Sequence, residues 1–298
     1  MNKILLATTM LVGFAGVAAA ESHITLSGDA RMGVVSPFGD GDLYFESRAR
    51  VKFTMTGTTD GGLEFGASFR ANDAVEAEEG VAGSVFISGA FGKLSMGDVD
   101  GAALAAVGDL DGVGLTGLGD LNEMTYLSRS DTDESALYEY STGNLAFYVS
   151  ASQVGDDENG FLTLNGGAEV VAVGAEYSAD MFSVAIGYEQ LDAPGGVDVS
   201  HVIIGGSATF SNVTVKAIYG TADMGATDGD QMGVSATYAQ DAFAATVFYN
   251  DDEELGGVQA YGLGGSYDLG GGAKLVGGYV KDQTNDDDSF DFGIAMEF

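Results

Sequence analysis

Apolar and polar residues alternate along most of the chain after residue 23. In the clearest stretch, 43–55, one set of alternate positions is apolar or small: Leu43, Phe45, Ala49, Val51, Phe53 and Met55. The other set is mostly charged: Tyr44, Glu46, Arg48, Arg50, Lys52 and Thr54. A strand places alternate side chains on opposite faces, whereas a helix would scatter these charges around its surface. The stretch therefore predicts a strand longer than the ~5–6 residues usual in globular sheets.

The alternation recurs to the last residue, and two kinds of connection separate the alternating stretches. Tight turns are predicted near 57–62, 92, 142–144, 179–180, 211–212, 240–241 and 270–272. Longer, acidic loops are predicted near 35–42, 72–81, 98–124, 154–166, 192–198, 221–230, 250–257 and 282–288. Seven turns and eight loops join sixteen strands, although the pattern does not fix which way strand 274–281 faces. An even strand number with turns at one end and loops at the other predicts an all-β fold, a 16-stranded antiparallel transmembrane β-barrel.

A soluble β-sandwich is the alternative fold, since its strands also alternate. A sandwich hides its apolar face in one core and rarely needs strands this long or this numerous. A membrane barrel instead turns its apolar face to lipid and places aromatic residues near the strand ends. Tyr177, Phe182, Tyr188, Phe210 and Tyr219 fit such positions. Lipid leaves no partner for an open sheet edge, so the sheet is expected to close.

The first 20 residues have the pattern of a secretory signal peptide. Lys3 precedes an apolar stretch over 4–17, and Ala18, Ala19 and Ala20 form a small-residue cleavage site. A membrane-anchoring helix is the alternative interpretation. Cleavage would leave a single barrel domain over residues 21–298.

The charge and cysteine content narrow the function classes. The formal net charge is −34, and this excludes a nucleic-acid binder because phosphate neutralisation needs clustered Lys and Arg. The chain has no Cys, so no disulfide stabilises it. Beyond the leader, no run of ~20 apolar residues predicts a helical membrane span.

The connection 98–124 is much longer than the others. A disordered tract would be poorer in apolar residues than this one, which contains Leu104, Val107, Leu110, Val113, Leu115 and Leu118. A barrel of sixteen strands leaves an aqueous lumen that its own side chains do not fill. We therefore expect this loop, the third, to fold into the lumen and narrow it. Its acidic residues would line one side of the constriction: Asp98, Asp100, Asp109, Asp111, Asp120 and Glu123.

Basic residues cluster on the polar face of three successive predicted strands. They are Arg31, Arg48, Arg50, Lys52 and Arg70, five of the 11 Lys and Arg residues in the chain. Opposed patches of charge select and orient solutes in channels. The alternative is that these side chains are solvated strand charges balancing Glu46 and Glu64. We expect them to form the basic wall of the constriction, opposite the loop carboxylates.

Four segments closely resemble the Rhodobacter-type general-diffusion porins of alphaproteobacteria. They read GDARMGV (28–34), SRARVKFTMTGTTDGGLEFGASF (47–69), FISGAFGKLSMGD (86–98) and YGLGGSYDLGGGAKLVGGYV (261–280). The resemblance runs over the whole chain after the leader and is weaker in its middle. It implies an outer-membrane homotrimer whose third loop forms the constriction, with Arg31, Arg48, Arg50 and Arg70 facing the carboxylates of that loop.

The same resemblance implies further sites. Ca²⁺ would bind among acidic residues, with Asp109, Asp111 and Asp120 as candidate ligands, and the second loop (Glu76, Glu78 and Glu79) would reach a neighbouring subunit. Phe298 resembles the signal that the barrel assembly machinery reads. Residues 101–119 depart from the family pattern in their Gly, Ala and Leu content, so neither pore diameter nor Ca²⁺ ligands transfer directly.

The predicted function is a passive channel for small hydrophilic solutes and ions, with weak cation preference and no required cofactor. Its expected partners are copies of itself, outer-membrane lipid or lipopolysaccharide and the assembly machinery. An enzyme is the first alternative, but His23 and His201 lie on different strands and no HExxH, GxSxG or CxxC motif occurs. A solute-specific channel would need stacked lumen aromatics, and Tyr44, Tyr148 and Phe248 are few and scattered. A plugged, structural barrel would not conduct.

Overall fold

A computed structural model of the chain shows a closed barrel in which every strand is antiparallel to its neighbours. It describes residues 22–39, 41–72, 81–128, 135–154, 168–193, 197–225 and 227–298. The strands follow one another around the barrel in chain order, and β1 pairs with β16 to close it. The predicted all-β fold with sixteen antiparallel strands is therefore confirmed.

The secondary structure is almost entirely strand. The strands are β1 His23–Ser36, β2 Tyr44–Thr58, β3 Glu64–Asn72, β4 Val81–Gly89, β5 Gly92–Gly97, β6 Ser135–Thr142, β7 Leu145–Val154, β8 Ala168–Ser178, β9 Phe182–Ala193, β10 Val197–Phe210, β11 Val213–Asp223, β12 Asp228–Gln240, β13 Phe243–Asp251, β14 Gln259–Gly270, β15 Ala273–Asp282 and β16 Asp287–Glu297. Within the described ranges, a short helix, α1, covers Ala102–Val107, and 3₁₀ turns cover Leu118–Asp120 and Glu253–Leu255. No helix in the described ranges is long and apolar enough to cross a membrane.

The two ends of the chain close the barrel. The β1–β16 register runs from Asp29 opposite Glu297 to Ser36 opposite Phe290. Beyond it, the Gly28 N–H donates to the Phe298 carbonyl at 3.2 Å, and the Phe298 N–H donates to the Gly28 carbonyl at 2.9 Å. The sheet has no free edge. A β-sheet that spans the hydrocarbon layer of a membrane must close in this way, because lipid offers no hydrogen-bond partner to an open edge.

The wall has an apolar face and a polar face. Large apolar side chains on the apolar face are exposed, for example Phe45 at 91 % and Val85 at 60 %. Along β7 to β16 the alternate positions, which form the polar face, are mostly buried in the part of each strand that lies away from the tight turns. Burial on the polar face means that another part of the chain covers it.

Several strands extend into stretches that were predicted as loops. Only three residues separate β9 from β10, at 194–196, and four separate β11 from β12 and β15 from β16. The predicted loops at 192–198, 221–230 and 282–288 were therefore too long. Asp192 and Asp198 are paired in the β9–β10 ladder, so an acidic residue does not by itself mark the start of a loop.

Strand β15 resolves the facing that its sequence left open. Tyr279 points to the apolar face and is 37 % exposed, whereas Val280 on the polar face is fully buried. The sequence was ambiguous because this strand carries apolar residues on both faces.

Two sequence predictions lie outside the described residues. They are the signal peptide over 1–20 and the second-loop glutamates Glu76, Glu78 and Glu79.

Candidate functional site

The connection between β5 and β6 lies against the polar face of the wall over most of the barrel's circumference. We call residues 98–128 the β5–β6 segment. Helix α1 packs on β7, β8, β9 and β10, and the 3₁₀ turn Leu118–Asp120 packs on β15 and β16. Between them, the segment reaches β1, where Arg31 donates to the Leu115 carbonyl at 3.5 Å. The sequence predicted a loop over 98–124, but contacts with the wall continue to Ser128.

A row of wall glycines makes room for the segment. They are Gly33, Gly174, Gly187, Gly205, Gly233, Gly264, Gly278 and Gly293, one on each of eight strands, and a Cβ on any of them would lie within 3 Å of a segment atom. A Cβ on Gly174 would lie 2.4 Å from the Ala102 carbonyl oxygen, and one on Gly187 would lie 2.6 Å from the Ala103 Cβ. Helix α1 therefore sits directly on the backbone of the wall. From the sequence, glycines were interpreted as turn residues, so this row along the wall was not predicted.

The wall also supplies the start of helix α1. The Ala102 N–H, one of the first-turn donors that a helix cannot satisfy itself, donates to the Ser150 hydroxyl of β7 at 2.8 Å. The run Ala102–Val107 consists of residues with good or moderate helix propensity. Its six residues are too few to show a helical period in the sequence, so the helix was not predicted.

The middle of the segment is anchored on β11 and β12. The Lys216 ammonium donates to the Asp109 carbonyl at 2.5 Å, and the Asp109 carboxylate accepts from the Met124 N–H at 2.8 Å. The Asp111 N–H donates to the Ser235 hydroxyl at 3.1 Å, and its carboxylate accepts from the Thr237 hydroxyl at 2.6 Å. Two of the acidic residues predicted to line the constriction are thus bound to the segment itself or to the wall.

A single buried carboxylate anchors the far turn of the segment. Asp291 on β16 is 2 % exposed, and its Oδ2 accepts from the Thr116 N–H at 2.7 Å and from the Thr116 hydroxyl at 2.8 Å. Leu118 follows with a positive φ of 52° and is buried against the wall.

The outgoing end of the segment, Thr125 to Ser128, meets a buried polar cluster. Glu189 on β9 accepts from the Leu127 N–H, and Gln231 on β12 bonds both backbone groups of Thr125. His201, predicted on the polar face, joins Glu189 and Gln231. Asp252 accepts from the Thr125 hydroxyl at 2.7 Å. Except for His201, these wall residues were not identified from the sequence, because their partners are far away in the chain.

The five predicted basic-wall residues lie side by side on β1, β2 and β3. Arg31 is the register partner of Arg48, and Lys52 is the register partner of Arg70. Arg31 pairs with Glu46 at 2.6 Å. Asp29 pairs with Arg50 at 2.8 Å and with Arg48 at 3.4 Å.

The ion pairs of this basic patch come from the wall and not from the β5–β6 segment. Among the described residues, its partners are Asp29 and Glu46. The alternative interpretation of the sequence named Glu46 as a balancing charge, whereas Asp29 was not identified. Asp98 shares a polar recess with Lys52 and Arg70 at the edge of the patch. Within the described chain, neither Lys52 nor Arg70 has a carboxylate within ion-pair distance. Asp29 could have been found from its position two residues before Arg31 on the same face.

The remaining predicted site residues are more dispersed. Asp100 and Asp120 are exposed, and Glu123 is half-buried. In the parts of the chain that the structure describes, no group of three or more acidic or His side chains is placed to hold a metal ion. A Ca²⁺ site formed by Asp109, Asp111 and Asp120 stays a prediction. Phe248 and Tyr148 pack against the segment, so they are not a ladder for stacking solutes.

The comparisons with known proteins agree with this fold. A sequence profile of the Gram-negative porin family matches residues 7–288. The chain is 40 % identical to a porin of Rhodobacter capsulatus and 28 % identical to a porin of Fuscovulum blasticum, in each case over 93 % of this chain and the whole of the relative. A porin crystal structure refined at 1.8 Å resolution superimposes with a TM-score of 0.78 and 37 % identity, over 93 % of this chain and all of the other. The chain therefore belongs to the Gram-negative porin family, whose members are outer-membrane diffusion channels and not enzymes.

Proposed function

We propose that the β5–β6 segment forms the constriction of this diffusion channel, with the basic patch on β1–β3 as its opposite wall. One observation carries the proposal: the segment contacts the polar face from β7 around to β1. In an outer-membrane barrel the apolar face meets lipid and the polar face lines the lumen. A segment on the polar face therefore lies inside the barrel and narrows the aqueous path.

The constriction in this proposal discriminates by size, charge and dipole. Arg31, Arg48, Arg50, Lys52 and Arg70 carry more charge than Asp29 and Glu46 neutralise, so the wall keeps a positive surplus. Exposed acidic residues of the segment, such as Asp120, face the same water-filled space. Small polar solutes align their dipoles in the resulting field, whereas apolar solutes displace water that the field orients and gain no interaction in return.

Net ion selectivity depends on two opposed contributions. The formal net charge of −34 and the acidic loops raise the local cation concentration. The basic patch opposes this at the narrowest point. We propose a weak cation preference for the open channel, with no cofactor required for diffusion and any Ca²⁺ confined to a structural role.

Export and assembly are further parts of the proposal. The chain would be exported through its signal peptide, inserted among outer-membrane lipid and lipopolysaccharide, and assembled as a homotrimer. Self-association suits the family, and the second loop would contact the neighbouring subunit.

Conductance of the detergent-folded protein in a planar bilayer tests the proposed function. We expect stepwise, long-lived, ohmic openings that occur in groups of three, and a reversal potential across a KCl gradient with the sign of cation preference. A folded barrel that gives no steps would contradict the channel. The opposite sign would show that the basic patch, and not the acidic loops, governs selectivity.

Removal of the aromatic ring of Phe298 should impair assembly of the barrel in cells more than its folding in detergent. The Phe298 side chain is 74 % exposed, while its backbone holds the closure with Gly28. Phe298→Ala keeps those backbone bonds and should lower the amount of barrel in the outer membrane several-fold, as measured by the heat-modifiable band. Refolding of the purified variant should match that of the parent, and equal losses in both assays would assign the ring to stability instead.

A further inference from the structure

Three buried side chains hold the outgoing end of the β5–β6 segment. Glu189 on β9, His201 on β10 and Gln231 on β12 are each at most 1 % exposed. We propose that these three are positioning residues that fix Thr125 to Ser128, and that they do so only while Glu189 is ionised and His201 is neutral. This rests on the proposed role of the segment as the constriction.

Glu189 accepts hydrogen bonds from four donors. Its Oε2 accepts from the Leu127 N–H at 2.9 Å and from the His201 Nδ1 at 2.9 Å. Its Oε1 accepts from the Ser128 N–H at 3.2 Å and from the Ser128 hydroxyl. An ionised carboxylate accepts all four bonds, whereas a protonated one could donate only to the Ser128 hydroxyl, whose own proton would then lose this acceptor. Buried polar groups left in that state are costly, so the arrangement requires the charge.

Gln231 determines which nitrogen of His201 carries the proton. The Gln231 Oε1 accepts from the Thr125 N–H at 2.9 Å, and its Nε2 donates to the Thr125 carbonyl at 2.8 Å. These two backbone bonds fix the orientation of the amide. The same Nε2 lies 2.8 Å from the His201 Nε2, which must therefore accept a hydrogen bond. The proton of the neutral ring is then on Nδ1, where it points at Glu189.

A second proton on His201 would break this arrangement. It would place an N–H on Nε2 directly against the N–H of the Gln231 amide. The amide could turn to offer its oxygen only by losing both bonds to Thr125. Protonation of His201 or of Glu189 therefore loosens the same four residues of the segment.

The other groups around His201 are few among the described residues. The Tyr126 ring stands edge-on to the imidazole, with 6.2 Å between ring centroids, and Gly220 of β11 presents no side chain. Asp252 acts one step away, through the Thr125 hydroxyl. It lies beyond the end of β13, and burial raises the pKa of its carboxyl despite hydrogen bonds from Thr125 and Val258. Asp252 is thus the one neighbour whose own response to pH must be tested separately.

Single-channel recording against pH tests the proposal. We expect quiet openings at neutral pH and a several-fold rise in current noise on acidification from about pH 8 to about pH 4. Glu189→Gln should be noisy at neutral pH, because its amide adds donors where four already converge. Gln231→Glu should also be noisy at neutral pH, because its carboxylate cannot donate to the Thr125 carbonyl.

Two controls separate this mechanism from a loss of structure. Glu176→Gln removes a carboxylate of β8 that accepts a hydrogen bond from Ser178 and none from the β5–β6 segment. Channels of this variant should show no added current noise at neutral pH. Asp252→Asn should retain the acid transition, and its loss would assign the pH response to Asp252 and overturn the proposal. The proposal would also be overturned if the parent at acidic pH and Glu189→Gln both conduct without added current noise. Absence of any conductance in the parent would instead contradict the proposed function.

Discussion

Replacement of Lys52 and Arg70 by glutamine should make the channel clearly more cation-selective, whereas replacement of Arg31 and Glu46 together should not. Lys52 and Arg70 face each other across the β2–β3 ladder, and among the described residues no carboxylate pairs with either. The Nε of Arg70 is buried without a hydrogen-bond partner in the described structure. Arg31 and Glu46, in contrast, neutralise each other at 2.6 Å.

The size of the shift follows from the distance between the wall and a passing ion. A unit charge a few Å from an ion in water changes its energy by up to ~1 kcal/mol, or about fivefold in a population ratio. Lys52→Gln with Arg70→Gln removes two positive charges and should raise the potassium-to-chloride permeability ratio roughly two- to fivefold on this scale. The measurement is the reversal potential across a KCl gradient.

Arg31→Gln with Glu46→Gln is the matched control, since it removes two charges from the same patch without changing the net charge. Its reversal potential should stay near that of the parent protein. Equal shifts from both double variants would show that field orientation, and not surplus charge, sets selectivity. No shift from either would remove the basic patch from the constriction.

The barrel itself could be predicted because it follows from a two-residue period. In β2, Phe45 and Val51 alternate with charged residues, and lipid on one side and water on the other enforce that pattern over every strand. Where both faces are apolar, as in β15, the period gives no direction. Val280 lies on the polar side and is buried because the β5–β6 segment covers it. Nothing in the local sequence indicates this cover.

The path of the segment could not be predicted, although its existence could. Its anchors are single residues on strands that lie far from it in the chain, such as Glu189 and Asp291. A buried carboxylate and a solvated one look the same in a sequence. The wall glycines were equally hidden, because a glycine in a strand signals a turn, a bulge or a close approach with no way to choose among them. The five basic residues of β1–β3 could be predicted to lie side by side, because each occupies the polar set of positions in the alternation of its own strand.

A side chain added beneath helix α1 should narrow the channel. A Cβ on Gly174 would lie 2.4 Å from the Ala102 carbonyl oxygen and 2.6 Å from the Ala106 Cβ. Ordinary carbon contacts are about 3.5–4.0 Å, so Gly174→Val requires a displacement of about 1 Å or more. The wall is held by backbone ladders on both sides of β8, whereas helix α1 rests on the wall through side-chain contacts and the bond from the Ala102 N–H to Ser150. We therefore expect the helix to move away from the wall, towards the open lumen.

Two readouts should change together in Gly174→Val. Single-channel conductance should fall, and the barrel should lose about 1–3 kcal/mol of stability, the usual cost of overpacking. Gly265→Val is the matched control on β14, because a Cβ there lies 3.5 Å from its nearest neighbour, the Ala244 carbonyl oxygen, on the apolar face. It should conduct like the parent, and valine suits a strand better than glycine does. A Gly174→Val channel of unchanged conductance and reduced stability would mean that the wall yields instead of the helix. A variant that is unchanged in both respects would place the segment away from the lumen-facing wall altogether.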